Sequence, residues 1–346
     1  SLLDPPEFVK RYVYDKKVFI NKLSEMNILK DVIDVVMSKL GDKFIYGELQ
    51  KALSETRNEI KLTYSKSNVL NAISWLANSH YEISFSLDTA ISERVIFPVS
   101  YSESNGIEDA RFVRFTEDDG SITYYATYTA YNGFAILPKL LKTKDFFDFQ
   151  SIPINGKYAQ DKNLALFPRK INGKYVMCSR IDGANLYIMF SDEINYWDNC
   201  KKIQISRAPW EFIKIGNCGS PIETEYGWLL ITHGVGTMRK YCLGAVMLDK
   251  DDPTKVIGQL NEPLLMPNEE EREGYVPNVV YSCGSMIYND ELFIPYAMSD
   301  YASTIATVPL KEIYENIFPE ELKTKNNIPG KDQMKILVVE DLSLIH

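Results

Sequence analysis

A repeat of roughly 50 residues runs through most of this chain and limits the folds that it can adopt. Each unit has a turn, an apolar strand, a polar interruption and a second apolar strand. The four units span residues 120–136, 172–191, 225–249 and 289–310. Aligned on Tyr125, Tyr175, Trp228 and Leu292, they are 50, 53 and 64 residues apart. Several strands per unit at this period are typical of a β-propeller, and no helical pattern separates them as in a parallel α/β fold. We therefore expect an all-β propeller.

The first part of the chain has a different pattern, with apolar residues at helical spacing. This period is found in residues 28–40, 46–53 and 69–76 and ends near the first alternating strand. The sequence therefore predicts a helical N-terminal segment over residues 1–80 and a propeller domain over residues 81–346.

Composition and charge exclude several classes of function. The net charge of −9 argues against nucleic acid and anionic membranes as partners. No run of about 18 apolar residues is long enough to span a membrane. The start of the chain does not resemble a signal peptide. Because Ser1 stands where an initiator Met is expected, we expect that upstream sequence is missing.

The cysteines and histidines indicate the compartment and exclude a metal centre. The five cysteines are odd in number, widely spaced and mostly in apolar runs, which favours reduced thiols in a cytoplasmic protein. Three histidines are too few for a His-rich metal site. We expect neither a metal nor an organic cofactor.

A charged turn precedes the first long strand. Ser104–Arg111 contains Glu108, Asp109 and Arg111 around an Asn-Gly turn, directly before an apolar run. Carboxylates beside an arginine where a strand begins suit an acid site, because neighbouring charges set the protonation of the acid. The alternative is a surface salt bridge. Of the two acids, Glu108 is expected to brace the turn with Arg111.

Polar residues follow three of the repeats at similar positions. Arg180 and His233 each come five residues after the aligned strand residue, and Asp300 comes eight after it. Because the inner strands of a propeller end at one central mouth, these side chains are expected to converge there. Alternatively, each is a turn residue of its own blade.

Five motifs in this chain resemble those of glycoside hydrolase family 130, the β-mannoside phosphorylases and related β-mannosidases. They lie in the family's order at residues 104–111, 161–168, 216–222, 227–235 and 274–280. The resemblance covers about Val95 to Leu310 and implies a five-bladed β-propeller. Because only four repeats are clear, the fifth blade is expected either from residues 82–103 with 334–342 or from missing upstream sequence.

The resemblance also implies roles for individual residues. It makes Asp109 the proton donor, and in the family the proton is thought to pass through a hydroxyl of the bound mannosyl unit. The implied sugar-binding residues are Asp300, Arg111 and Asn278. The implied phosphate-binding residues are Arg180, Lys214, His233, Tyr241, Asn163 and Lys162. Lys162 stands where many relatives have arginine, so it keeps the charge but lacks the bidentate fork.

Each phosphate residue also has a structural alternative. Lys214 could be a solvated strand residue and Tyr241 a core residue. Arg180 could pair with Asp182, and His233 could be a buried histidine with its hydrogen bonds satisfied.

The residue types favour phosphorolysis over hydrolysis. An inverting hydrolase needs a second carboxylate to activate water, whereas phosphate is already an anionic nucleophile and needs a cationic seat and one acid. We therefore expect an inverting phosphorylase that converts a β-1,2- or β-1,4-linked manno-oligosaccharide and inorganic phosphate to α-mannose 1-phosphate. One alternative is a β-mannosidase with Glu223 or Asp300 as base. Another is a non-catalytic sugar-binding propeller, if a blade is missing. The sequence does not decide whether the protein forms a homo-oligomer.

Overall fold

The computed structural model describes residues 7–9, 13–25, 29–203, 205, 208–318 and 337–339. Within these residues the protein is mostly β, with a small helical part at the N-terminal end. The described helices of the N-terminal part end at Asn78, and the strands of the large β part begin at Tyr81, except for β1 (Glu7–Val9), which pairs with β4 (Tyr81–Ser84).

The N-terminal part forms a small unit with its own core. A two-stranded sheet, β2 (Val13–Asp15) with β3 (Lys43–Ile45), accompanies its helices. The helices described there are α1 (Lys16–Glu25), α2 (Lys30–Ser38), α3 (Tyr46–Glu59) and α4 (Tyr64–Asn78). Their apolar faces, including Val36, Leu49 and Ile73, are buried in one cluster. The helical spacing seen in the sequence therefore marks this core-facing side.

The β part contains four antiparallel sheets within the described residues, and we call them blades one to four in chain order. The outer to inner order of blade one is β1–β4–β8–β7–β6–β5. Its strands are β1 (Glu7–Val9), β4 (Tyr81–Ser84), β5 (Ile107–Thr116), β6 (Ile122–Tyr131), β7 (Ile136–Thr143) and β8 (Asp148–Pro153). The strands of blade two are β9 (Ala165–Leu166), β10 (Tyr175–Ser179), β11 (Tyr187–Ser191) and β12 (Asn199–Lys202).

Blades three and four follow the same antiparallel plan. Blade three consists of β13 (Lys214–Asn217), β14 (Ile222–Glu223), β15 (Trp228–Val235), β16 (Tyr241–Leu248) and β17 (Val256–Gln259). Blade four consists of β18 (Val280–Tyr281), β19 (Met286–Tyr288), β20 (Glu291–Met298), β21 (Ala302–Pro309) and β22 (Leu337–Val339). Helix α5 (Leu310–Ile317) follows β21. The predicted repeats are confirmed. Three of them supply the two central strands of a blade, and residues 120–136 supply β6 and the first residue of β7.

The core lies between neighbouring blades. Because successive strand residues point to opposite faces, Met177 of β10 packs toward blade one, whereas Val176 and Cys178 pack toward blade three. A third cluster joins blades three and four through residues such as Leu229 and Leu292. This packing holds the inner-edge strands β5, β9, β13 and β18 close together, and these strands carry the candidate site together with the neighbouring ends of β10, β15 and β16.

One predicted source of a fifth blade is wrong. Within residues 82–103, β4 pairs with β8 and so extends blade one. Within residues 334–342, the described strand β22 pairs with β21 and so extends blade four. Backbone pairing therefore assigns the two segments to different existing sheets. The family's count of five is not reached in the described part of the chain, which has four blades.

Candidate active site

The predicted acid lies on a bulge at the start of β5. The pairing of β5 with β6 shifts between Glu108 and Arg111, so that one extra residue is inserted. Asp109 has a φ of 59°, in the left-handed region that aspartate tolerates better than most residues. A bulge changes the direction of a side chain, and here it directs Asp109 toward blade four.

The Asp109 carboxylate is held on one oxygen. Its Oδ2 accepts a hydrogen bond of 2.9 Å from the Tyr281 hydroxyl and lies 3.4 Å from Nη2 of Arg111. The Cys283 thiol lies 3.8 Å from Oδ1. The Asp109 side chain keeps 20% of its surface exposed, so a bound substrate could reach it.

Arg111 lies behind the acid, in the wall of the site. Its side chain is 1% exposed. Nη1 donates to the Asn217 carbonyl at 2.9 Å, and Nη2 donates to the Tyr281 hydroxyl at 2.7 Å. The guanidinium is therefore engaged by protein groups and supports Asp109. Its predicted contact with sugar stays a prediction.

The expected pairing of Glu108 with Arg111 is wrong. Glu108 forms an ion pair with Lys162, and both side chains are partly exposed. The bulge separates the two acids, so that Glu108 points to solvent and Asp109 points inward. Because the Lys162 ammonium has this partner, a phosphate at Lys162 would compete with a carboxylate.

Asn163 brings the start of blade two into the same group. It has a φ of 73° and is buried. Its Nδ2 donates to the Tyr281 hydroxyl at 3.2 Å and approaches the Asn217 carbonyl at 3.4 Å.

Arg180 and His233 meet at the mouth, as their positions in the repeats predicted. Nη1 of Arg180 lies 3.4 Å from Nε2 of His233, and both side chains are buried. The alternative pairing of Arg180 with Asp182 is wrong, because the Asp182 carboxylate accepts hydrogen bonds from Asn185 and Tyr187 instead. The nearby carboxylate at Arg180 is that of Asp161, with Oδ2 at 3.9 Å from Nε.

His233 is held in its neutral form. Burial is the main cause, and the positive charges of Arg111, Arg180 and Lys214 add to it, so the pKa of His233 lies well below its usual value. Because an arginine can only donate, a hydrogen bond between the two groups requires Nε2 of the neutral ring as the acceptor. The ring occupies space that Gly216 leaves open, since a Cβ at residue 216 would lie 2.6 Å from Cε1 of His233.

Lys214 and Tyr241 complete the cradle. The Lys214 Nζ lies 5.1 Å from the centre of the Tyr241 ring, within cation–π range. The Tyr241 ring stacks at 6.2 Å on His233. Its backbone N–H donates to the Asn278 carbonyl at 3.0 Å, which ties blade three to the loop before β18. We call Arg180, His233, Lys214 and Tyr241 the cradle.

Asp300 lies in the turn that follows β20, next to the start of β18. This turn between β20 and β21 is exposed, and Asp300 has a φ of 53° there. Among the described residues it makes no side-chain hydrogen bond to the cradle. Asn278 also has a positive φ, of 63°, and is half-buried. Their predicted roles in sugar binding stay predictions.

Glu223, the base considered for hydrolysis, lies far from the acid. It pairs with Trp228 at the start of β15, whereas Lys214 pairs with Val235 at the end of the same strand. The carboxylate of Glu223 accepts hydrogen bonds of 2.8 and 2.7 Å from Arg169. It is therefore at the opposite end of the blade, and the prediction that it activates water is not supported.

Sequence reasoning missed Tyr281 and Asn217, which hold the site together. Asn217 lies inside a recognised motif but acts through its backbone carbonyl, which no side-chain pattern reveals. Tyr281 directly follows the motif at residues 274–280. The β18 strand carries it to the acid, 172 residues away along the chain.

All five cysteines are free, and Cys178, Cys218 and Cys242 are buried. No described helix is long and apolar enough to cross a membrane.

Comparisons with known proteins identify the family of this chain. A family model described as beta-1,4-mannooligosaccharide phosphorylase matches residues 44–318. A 1,2-beta-oligomannan phosphorylase from Thermoanaerobacter sp. (strain X514) is 38% identical over 221 residues, which cover 61% of this chain and 71% of that protein. A beta-1,2-mannobiose phosphorylase from Listeria innocua is 29% identical over 231 residues, covering 64% of this chain and 63% of that protein.

A solved structure gives the same result for the fold. The beta-1,2-mannobiose phosphorylase from Listeria innocua, in complex with beta-1,2-mannobiose, superposes with a TM-score of 0.58 at 27% identity. The superposition covers 69% of each chain. The family match spans well over half of the sequence, and the acid and cradle lie inside it. The chain therefore belongs to glycoside hydrolase family 130.

Proposed function

We propose that this protein is an inverting phosphorylase that cleaves β-linked manno-oligosaccharides with inorganic phosphate. The observation that carries the proposal is the partly exposed acid Asp109, which is linked through Tyr281 to a cradle of cationic and hydrogen-bonding groups. The related proteins named above are phosphorylases of β-1,2- and β-1,4-linked mannosides. We leave the linkage open between these two.

The cradle suits a phosphate dianion. Arg180 and Lys214 supply positive charge, Tyr241 supplies a hydroxyl, and neutral His233 supplies a ring nitrogen. Such fixed donors stabilise an anion without the reorganisation that water would need. The protein as a whole is negative, with a net charge of −9, so this attraction is local.

The proposed reaction needs one proton donor. Phosphate attacks the anomeric carbon of the mannosyl unit on the face opposite the glycosidic oxygen. The bond between the anomeric carbon and that oxygen breaks as the proton of Asp109 reaches the oxygen, through a sugar hydroxyl if the family route applies. The products are α-mannose 1-phosphate and a shortened acceptor with a free hydroxyl. Inorganic phosphate is consumed as a co-substrate, and we propose no metal or organic cofactor.

The hydrolytic alternative is disfavoured by the position of the other carboxylates. Water needs a base on the side opposite the acid. Glu223 is held by Arg169 at the far end of its blade, and Asp300 lies in an exposed turn. Asp161 is near the cradle, but it faces Arg180, whose charge would instead attract phosphate.

The test compares product formation with and without phosphate. We would incubate the protein with β-1,2- and β-1,4-mannobiose and measure α-mannose 1-phosphate and free mannose. Phosphorolysis predicts α-mannose 1-phosphate only when phosphate is present. Equal mannose release in both conditions would show a hydrolase. Binding of either disaccharide without any turnover would show a non-catalytic sugar-binding propeller.

The proposal includes the family's count of five blades, a boundary at residue 80 and a cytoplasmic location. A fifth blade is supported by apolar residues on the free faces of blades one and four, where Phe112, Met286 and Tyr288 are 46%, 57% and 60% exposed. A further sheet would cover such residues. A crystal structure in which blades one and four pack directly together would contradict it. We make no proposal for the oligomeric state.

A further inference from the structure

Tyr281 links the acid to the rest of the site through one hydroxyl group. That hydroxyl donates to Asp109 Oδ2 at 2.9 Å. It accepts from Arg111 Nη2 at 2.7 Å and from Asn163 Nδ2 at 3.2 Å. A phenol has one proton to donate and two lone pairs to accept with, so all of its hydrogen-bonding capacity is used.

The direction of each bond follows from the partners. The arginine and the amide nitrogen can only donate, so both lone pairs of the hydroxyl are occupied. The tyrosine proton must therefore point at Asp109. Burial raises the pKa of Tyr281, which keeps this proton on the phenol at ordinary pH. The aromatic ring is held as well, with its centre 5.0 Å from that of His233.

The two oxygens of Asp109 consequently differ. Oδ2 is occupied by Tyr281 and faces Arg111. Among the described residues, the contact at Oδ1 is the Cys283 thiol at 3.8 Å, which is a weak donor. The oxygen with the weaker partner is the one that can carry a transferable proton.

We propose that Tyr281 is a positioning residue that fixes Oδ2 of Asp109 and leaves Oδ1 to deliver the proton. This proposal rests on the function of Asp109 proposed above. A hydrogen bond donated to a carboxylate favours its charged form. Removal of the hydroxyl should therefore let Asp109 keep its proton to higher pH.

The kinetic test uses Tyr281→Phe, which keeps the ring and removes the hydroxyl. We expect kcat for phosphorolysis to fall by roughly 10- to 100-fold, because the acid is less well oriented. We expect the alkaline limb of the kcat profile to move to higher pH by roughly half to one pH unit. The KM for phosphate should change less than kcat, since the cradle residues remain.

Tyr125→Phe is the matched control. Tyr125 is also a buried tyrosine whose hydroxyl donates to a carboxylate, that of Glu117, at 3.1 Å. Tyr125 lies on β6 opposite Val113 of β5, and its partner Glu117 follows the end of β5 that is farther from Asp109. Removal of the Tyr125 hydroxyl should leave the pH profile unchanged. If Tyr281→Phe loses thermal stability as Tyr125→Phe does and its alkaline limb stays in place, Tyr281 has only a structural role and the proposal is wrong.

A second measurement does not depend on activity. Asp109 can be followed by ¹³C NMR of the carboxyl carbons, with Asp109→Asn to assign its signal. We expect the titration curve of Asp109 to lie at higher pH in Tyr281→Phe than in the wild type. Coincident curves would overturn the proposal. If the wild type forms no α-mannose 1-phosphate, the proposed function fails, but this comparison still decides the role of Tyr281.

Discussion

Two arginine–carboxylate pairs lie at opposite ends of this propeller, and they differ in burial and in geometry. Arg169 and Glu223 form two hydrogen bonds of 2.8 and 2.7 Å, with both side chains about one third exposed. Arg111 and Asp109 lie 3.4 Å apart, with the arginine 1% exposed and the aspartate 20% exposed. The better-formed ion pair is thus not at the candidate active site.

The difference shows that short, well-aligned hydrogen bonds in an ion pair do not by themselves mark the active site. The Arg169–Glu223 pair satisfies both partners, so little is left to bind a ligand. At the other end, a buried arginine is shared between Asp109, a backbone carbonyl and a tyrosine, while the acid sits on a backbone bulge with a positive φ. Buried charge and unusual backbone both cost free energy, and they persist where the surrounding structure holds them.

The largest expected effect comes from removing the acid. Asp109→Asn keeps the shape of the side chain but cannot donate the proton of a carboxylic acid. We expect kcat for phosphorolysis of mannobiose to fall by roughly 10²- to 10⁴-fold. Glu223→Gln is the control and should stay within about twofold of the wild type, because the Glu223 carboxylate contacts Arg169 and Lys250 at the surface and not the acid or the cradle. A comparable loss in Glu223→Gln would remove the distinction between the two ends.

The next effect concerns the arginine of the cradle. Arg180→Lys keeps the positive charge but removes the planar fork, so we expect kcat/KM for phosphate to fall by roughly 10- to 100-fold. The loss should appear mainly in the KM for phosphate. Arg169→Lys, at the opposite end, should leave both constants within about twofold. A normal KM for phosphate in Arg180→Lys would exclude Arg180 from the phosphate seat.

Buried histidines should make stability depend on pH. Burial, with a contribution from Lys139, lowers the pKa of His80 to about 3, whereas in the unfolded chain it is near 6.5. The unfolded state therefore binds the proton first, and stability is lost as pH falls below about 6.5. Between pH 7 and 5 His80 should account for about 2 kcal/mol of this loss. The pKa of His233 is also lowered, so His233 should also reduce the free energy of unfolding as the pH falls.

Denaturant unfolding at pH 7 and pH 5 measures this loss. His80→Gln and His233→Gln should each lose less stability between the two pH values than the wild type does. Glu223→Gln is the comparison, because an exposed group should change the pH dependence much less. An unchanged pH dependence in both histidine variants would show that these rings are not held neutral.

The smallest expected effect is on the exposed pair. Arg169→Ala and Glu223→Ala should each lower the free energy of unfolding by about 1 kcal/mol or less, after allowance for the packing of Arg169 over the Trp228 ring at 4.9 Å. The coupling energy from a double-mutant cycle should shrink further in high salt. A coupling energy of several kcal/mol between Arg169 and Glu223 would contradict the expectation that this exposed ion pair contributes little to stability.

The sequence predicted the repeated parts of the fold well, for a physical reason. The central strands of each blade, such as β15 and β16, are joined by short connections and carry their own apolar alternation, so a local pattern is enough to find them. The pattern does not contain the number of blades. Residues 82–103 were misplaced because edge strands can add to any free sheet edge, and only the register shows which edge they join.

The site was predicted in part. Arg180 and His233 could be placed together because equivalent positions in adjacent blades point to the same mouth. Glu223, one of the two bases considered for hydrolysis, lies at the end of its blade away from the cradle, because a carboxylate in a strand pattern can lie at either end of a blade. The contact of Tyr281 with Asp109 joins distant segments through a bulge, and neither the bulge nor the pairing partner is marked by a local pattern.

Gly216 has a consequence for how sequences of this kind can vary. Its backbone does not need glycine, because its φ is not in the left-handed region, but the His233 imidazole fills the place of the missing Cβ. A side chain at position 216 and the imidazole at position 233 would therefore compete for the same space. A larger residue at position 216 is tolerable only if position 233 carries a smaller side chain than histidine. A smaller side chain at position 233 would remove the imidazole from the cradle. Glycine at position 216 is thus required by the imidazole at position 233, and we expect substitutions at the two positions to occur together or not at all.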